Sequence, residues 1–156
     1  MAITDKNNKT QTNTEESVVD ESSVIDIDLS ATSKRKFRIN GDNSKIIELN
    51  PADVSIVTRI EEAHKRLDDC VKEIKELAES PTETDEQLFE LGKQFSKIDD
   101  KMRKCVDYIF QSNVSDVCIP KGQGSMYDPF NGKYRFEHII EALLTFYQDN
   151  IQKEYP

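Results

Sequence analysis

The chain carries two long stretches in which apolar residues recur at alternating steps of three and four positions. This spacing is typical of one face of an α-helix that packs along a partner helix. The first stripe comprises Val57, Ile60, His64, Leu67, Val71, Ile74 and Ala78, and the second comprises Leu88, Leu91, Phe95, Ile98, Met102, Cys105 and Ile109. The pattern therefore predicts two long helices with complementary apolar seams.

Helix start and stop signals place the boundaries of these helices. Asn50 followed by Pro51 is typical of a helix start, and Pro81 ends the first segment. Thr84 with Gln87 three residues later has the spacing of a capping box. We expect helices over about 51–80 and 84–111, each about 40 Å long at 1.5 Å per residue. The short link between them predicts an αα-hairpin.

A third helix is predicted over 135–152, and it is the most apolar of the three. Its stripe consists of Phe136, Ile139, Ile140, Leu143, Leu144, Tyr147 and Ile151. So apolar a helix needs a partner surface, and the helical hairpin is the natural one.

The first 50 residues have a different character. Residues 1–23 are polar and acidic, which predicts a disordered N-terminal arm. Residues 25–29 alternate apolar with acidic side chains, which indicates a strand or a tail that alternates by chance. Two short apolar runs flank a turn-rich segment, Asn40 to Ser44, and predict a β-hairpin over 36–49. The predicted class is α+β, mainly α, with a single domain over 24–156.

Composition limits the kinds of partner. The chain of 156 residues has a formal net charge of −9, and binding to nucleic acid requires the opposite balance. It contains no run of about 20 apolar residues that could span a membrane. Three widely spaced cysteines form no disulfide framework. We therefore expect a protein of the cytosol that binds neither nucleic acid nor membrane.

Candidate chemistry is sparse. His64 lies within a predicted seam and His138 only follows a glutamate, so neither forms a catalytic or metal motif. Cys70, Cys105 and Cys118 lack the close pairing of zinc ligands and are interpreted as buried apolar residues. The lysine and arginine residues at 34–36 and at 101, 103 and 104 are interpreted as solvated surface. We predict no metal, no cofactor and no enzymatic activity.

One segment combines aromatic residues with turn residues. Residues 125–136 include Met126, Tyr127, Phe130 and Tyr134 beside two Pro- or Gly-containing turns. Aromatic and methionine side chains are enriched at protein interfaces, which predicts a protein-binding surface. The alternative is a loop that folds back to fill the open end of the helical hairpin. Both interpretations stay open at this point.

Three segments carry a resemblance to a known group of proteins. Residues 36–42 (KFRINGD), 48–50 (ELN) and 125–140 (SMYDPFNGKYRFEHII) resemble small tail proteins of long-tailed phages of Gram-positive bacteria. The chain is similar to the group treated as tail assembly chaperones, over about residues 34–152.

The resemblance implies a non-enzymatic protein in the cytoplasm of the bacterial host cell. Such a protein binds the phage tape-measure protein, keeps it soluble, recruits tail-tube protein and leaves before the virion is complete. The alternative is a structural subunit of a tail or head–tail connector that is retained in the particle. Either interpretation admits a homo-oligomer.

Overall fold

The computed structural model describes residues 20–28 and 34–154, with the backbone alone for residues 150–154. The chain divides into two units, Met1–Thr32 and Ser33–Pro156. In the first unit, Glu21–Ser23 forms a 3-10 turn that is capped by Asp20. Residues 24–28 follow without regular structure and with exposed side chains. The strand alternative for 25–29 is therefore wrong for its described part, while the predicted arm up to residue 19 lies outside the described residues.

Over its described residues, 34–154, the second unit contains four helices and two small antiparallel sheets. Its elements are β1 Arg35–Arg38, β2 Ile46–Leu49, α1 Ile56–Leu77, α2 Asp85–Phe110, α3 Ser115–Cys118, β3 Tyr127–Asp128, β4 Lys133–Tyr134 and α4 Arg135–Glu154. The predicted class is confirmed, with the β-hairpin, the αα-hairpin and the C-terminal helix all present. The pair β3–β4 was not predicted, because two-residue strands leave no period in a sequence.

The first hairpin follows from its turn chemistry. β1 pairs with β2 from Arg35 opposite Leu49 to Arg38 opposite Ile46. Asn40 and Gly41 take positive φ values of 54° and 71°, a conformation that these two residue types tolerate best. A two-stranded hairpin needs a packing partner, and here β2 buries Ile47 and Leu49 in the core.

Helix α1 begins later than the sequence predicts. The side chain of Asn50 accepts a hydrogen bond from the Ala52 N–H at 3.1 Å, and its carbonyl accepts one from the Asp53 N–H at 3.1 Å. These bonds close a turn at Pro51, so the chain enters the helix only at Ile56. A side-chain oxygen that can cap a helix can equally close an isolated turn.

The buried face of α1 is rotated relative to the predicted stripe at its N-terminal end. The helix buries Ile56, Ala63, Leu67, Cys70, Val71 and Ile74. Val57 and Ala78, which were predicted in the seam, are exposed. His64 is also exposed, and its Nε2 lies 3.2 Å from Asp68 Oδ2, which corrects its placement in the buried seam. Neighbouring apolar residues such as Ile56 and Val57 allow two stripes about 100° apart, and packing selects one.

Helix α2 carries the predicted capping box but buries only part of its seam. Gln87 N–H donates to Thr84 Oγ1 at 3.1 Å, and Thr84 N–H donates to Gln87 Oε1 at 3.2 Å. Ile98, Met102, Cys105 and Ile109 are buried as predicted, whereas Leu91 and Phe95 are half-buried and Leu88 is exposed. The predicted seam is correct over the C-terminal half of the helix.

Helix α4 completes the core against the other elements. Phe136, Ile139, Leu143 and Tyr147 are buried. The Tyr147 ring lies 6.2 Å from the ring of Phe110 on α2, and Phe146 lies 4.9 Å from Phe37 on β1. The helix therefore joins the helical hairpin and the β-hairpin into one unit.

Candidate protein-binding surface

The connection between α2 and α4 is held by a buried arginine. Arg103 has an exposed fraction of only 4%. Its Nε donates to Asp99 Oδ2 at 2.7 Å, and its two terminal nitrogens donate to the carbonyls of Ile119 at 2.5 Å and Gly124 at 2.8 Å. Arg103 was predicted on a solvated basic face with Lys101 and Lys104, and that prediction is wrong for Arg103. Burial is tolerated because each of the three guanidinium nitrogens donates a hydrogen bond.

Asp99 extends the same network to the aromatic segment. Its Oδ1 accepts a hydrogen bond from the Met126 N–H at 2.8 Å. One ion pair on α2 thus holds the connection at Ile119, Gly124 and Met126. The only signal in the sequence was the spacing of four residues between an acid and an arginine on a helix, which many surface pairs share.

A second carboxylate on α2 holds the start of the connection. Asp107 Oδ1 accepts hydrogen bonds from the N–H groups of Val114 at 3.0 Å and Ser115 at 2.7 Å. Its Oδ2 accepts from the Ser115 hydroxyl at 3.0 Å. Asp107 thereby caps the single turn of α3, whose backbone donors lack partners within the helix. The segment therefore forms a helical turn over Ser115–Cys118.

The loop between β3 and β4 is shaped by Asp128. Its carboxylate accepts hydrogen bonds from the N–H groups of Phe130 at 3.0 Å and Asn131 at 3.2 Å, and from Asn131 Nδ2 at 2.7 Å. The bond from the Asn131 side chain, followed by those from the two backbone N–H groups, lowers the pKa of Asp128. Gly132 completes the turn with a φ of 61°. The loop is therefore ordered by its own side chains.

Two of the four predicted binding residues belong to the fold. Met126 and Tyr127 are buried, and Met126 is among the most completely enclosed side chains of the described protein. The Met126 carbonyl also accepts a hydrogen bond from the Phe136 N–H at 2.9 Å, at the start of α4. This corrects the expectation that all four side chains are available to a partner, and it fits the alternative of a loop that fills a space in the core.

The other two residues reach the surface. Tyr134 is 38% exposed, its ring lies 4.9 Å from that of Tyr127, and its hydroxyl accepts a hydrogen bond from Lys75 Nζ at 3.3 Å. Phe130 is 82% exposed at the tip of the loop. The structure therefore presents Phe130 fully, and one side of Tyr134, on an ordered base.

No protein-family model matches the chain, and neither does a curated protein or a solved structure. Within residues 20–28 and 34–154, no helix has the length and apolar character needed to cross a membrane.

The three cysteine thiols are enclosed to different degrees. Cys70 and Cys105 are buried, which confirms their interpretation as apolar residues, and Cys118 is half-buried. Burial raises the pKa of all three thiols, so the reactive thiolate is scarce near neutral pH. Among the described residues, no group of three or more His, Cys, Asp or Glu side chains is arranged to hold a metal ion.

Proposed function

We propose that the protein is a non-enzymatic phage tail assembly chaperone, which acts in the cytoplasm of the bacterial host. It would bind the tape-measure protein and assist assembly of the tail-tube protein. The resemblance over residues 34–152 supports this proposal. The structural observation that carries it is Phe130, which is 82% exposed on a loop that Asp128 holds in shape.

An exposed phenylalanine on an ordered loop suits recognition of an apolar client. Burying such a side chain contributes about 1.5–3 kcal/mol. Because Asp128 already orders the loop, little conformational entropy is lost when a partner covers the ring. Aromatic side chains in this setting commonly act as the anchors that dominate binding energy.

The proposal is tested by co-expressing the tape-measure protein with variants of this chain. Phe130→Ser should leave the melting temperature nearly unchanged, since the ring is exposed, but should weaken client capture at least about tenfold. Lys133→Ser, at the start of the adjoining strand β4, is the matched control and should preserve capture. Tyr127→Ser should lower the melting temperature, because that ring is buried.

Two results would count against the proposal. If Phe130→Ser still keeps the tape-measure protein fully soluble, the loop is not the contact. If mass analysis of purified particles finds the chain in stoichiometric amounts, the alternative of a retained structural subunit of a tail or head–tail connector is correct.

A further inference from the structure

The tip of the helical hairpin contains a part of α2 that α1 does not cover. The groove between the two helices places Leu77 and Ser80 level with Gln94, Lys97 and Ile98. Since α1 ends at Leu77 and α2 begins at Asp85, the first turns of α2 extend beyond the end of α1. Residues 78–84 return the chain to the start of α2 and are exposed, except for the half-buried Ser80.

The apolar seam of α2 continues into this uncovered part without interruption. Leu88 is 56% exposed and the adjacent Phe89 is 72% exposed, while Ile98 and Met102 on the same helix are buried. Leu88 and Ile98 belong to one heptad pattern, and a heptad seam is complementary to the seam of another helix. The uncovered turns therefore offer a packing surface for another helix, which would cover the part of α2 that α1 does not reach.

The same tip carries a concentrated negative charge. Between Lys75 and Lys93 the chain has six acidic residues and no lysine or arginine: Glu76, Glu79, Glu83, Asp85, Glu86 and Glu90. None of these carboxylates forms an ion pair with a described residue. Asp85 and Glu86 stabilise the N-terminal end of α2, but Glu76 and Glu79 lie at the C-terminal end of α1, where negative charge is unfavourable.

We propose that the tip, residues 76–92, is a docking site for an amphipathic helix that carries lysine or arginine beside its apolar seam. The apolar seam is complementary to a helix, and the six carboxylates are complementary to basic side chains on that helix. A second copy of this chain is disfavoured as the occupant, because it would bring like charges together. The proposal concerns a surface separate from the Phe130 loop and does not depend on the identity of the client.

The contact should be weak and sensitive to salt. The uncovered stretch from residue 85 to residue 93 is only about 13 Å long at 1.5 Å per residue. A contact this short buries only a small area, which is typical of transient complexes. Since the carboxylates are exposed, their attraction for a basic helix is screened as ionic strength rises.

The test uses the full chain and a labelled synthetic heptad peptide with leucine in its seam and lysine on both flanks. Fluorescence anisotropy should show binding that weakens as salt is raised from about 0.05 to 0.5 M, where the Debye length shrinks severalfold. The same peptide with glutamate flanks should not bind. The double variant Leu88→Gln, Phe89→Gln should weaken binding of the lysine peptide at least about tenfold, and thermal melting should confirm that it folds.

Two further variants separate the contributions to peptide binding. One tests the charge apart from the apolar seam, and the other tests whether the Phe130 loop takes part. The triple variant Glu79→Gln, Glu83→Gln, Glu90→Gln should weaken binding and flatten its salt dependence. Phe130→Ser should bind the lysine peptide like the unaltered chain. Equal binding of the two peptides, or unchanged binding by the folded Leu88, Phe89 variant, would overturn the proposal. The proposal would also be overturned if the unaltered chain were a dimer and the Leu88, Phe89 variant a monomer, because the surface would then bind a second copy of the chain.

Discussion

Arg103 and Asp99 lie one helical turn apart on α2 and together join that helix to the connection that leads into α4. Arg103 Nε donates to Asp99 Oδ2 at 2.7 Å, and the remaining polar atoms of the pair bind backbone groups of Ile119, Gly124 and Met126. A surface ion pair of this spacing contributes little to stability. Here both side chains are largely enclosed, so each depends on the other for a hydrogen-bonded opposite charge.

Removing one member of this pair should be strongly destabilising. We expect Arg103→Met to lower the free energy of unfolding by about 3–5 kcal/mol, because Asp99 keeps its charge in an enclosed site but loses its cationic partner and retains only the hydrogen bond from the Met126 N–H. Urea unfolding measures the change, with the exposed neighbour substitution Lys104→Met as the control that should stay within about 0.5 kcal/mol. The double variant Arg103→Met, Asp99→Leu should recover part of the loss. Equal midpoints for Arg103→Met and Lys104→Met would disprove the role of the pair.

The rotated face of α1 predicts unequal effects within the stripe read from the sequence. Leu67→Ala should cost about 2–5 kcal/mol, since that side chain is completely buried. Val57→Ala should change stability by less than about 0.5 kcal/mol, because Val57 faces solvent. Guanidinium unfolding compares the two variants. A larger loss of stability for Val57→Ala than for Leu67→Ala would show that Val57 faces the core, as the sequence predicted.

The same comparison applies to α2. We expect Ile98→Ala to cost about 2–5 kcal/mol and Leu88→Ala to be nearly neutral, although both occupy the predicted seam. Their difference in guanidinium midpoint reports where the covering helix ends. If the two substitutions lower stability equally, Leu88 is covered in solution and α2 has no uncovered tip.

The free energy of unfolding should fall at high pH, because Tyr147 is buried and resists ionisation. Burial, with a smaller contribution from the charge of Asp53, raises the pKa of Tyr147 to about 12. An unfolded tyrosine has a pKa near 10, so the folded state resists ionisation, and the stabilisation that is present below about pH 10 is lost as pH rises towards 12.

The contribution of Tyr147 is measured by urea unfolding at pH 8 and pH 11.5. Two pKa units correspond to about 2–3 kcal/mol, so Tyr147→Phe should lose less stability between these two pH values than the unaltered chain does. The raised thiol pKa values add a loss in the same direction, but that loss is common to both proteins. Identical losses would show that the Tyr147 hydroxyl is accessible to solvent.

The N-terminal arm should be dispensable for folding. Its composition offers little apolar surface against an ordering cost of about 1–2 kcal/mol per residue. Deleting residues 2–23 should therefore shift the melting temperature by less than about 5 °C, which for a domain of this size corresponds to about 1 kcal/mol. A larger fall in the deletion variant would mean that the arm packs on the folded domain.

Local signals in the sequence were sufficient to predict the first β-hairpin and the three long helices. Thr84 and Gln87 form their capping box from residues three apart, and Asn40 and Gly41 supply the positive φ values of the first hairpin. The C-terminal part of the α2 seam, from Ile98 to Ile109, was also correct. Each of these features depends on neighbours within a turn or on helical periodicity, and both are visible in a linear sequence.

Three assignments required the tertiary structure. Whether Ile56 or Val57 faces the core depends on how α1 docks, because adjacent apolar residues fit two stripes equally well. Whether Leu88 is covered depends on where α1 ends relative to α2, which no periodicity encodes. Met126 and Phe130 occupy one aromatic segment, yet one is enclosed and the other exposed, since only the path of the loop separates them.

Arg103 shows the physical reason most clearly. By composition, an arginine between two lysines belongs to a solvated face, and Lys101 and Lys104 do lie there. Arg103 is buried because carbonyl groups 16 and 21 residues further along the chain meet its guanidinium. Local propensity and periodicity determined the helices and the first hairpin, whereas burial of a charged group depends on acceptors that only the folded chain brings together.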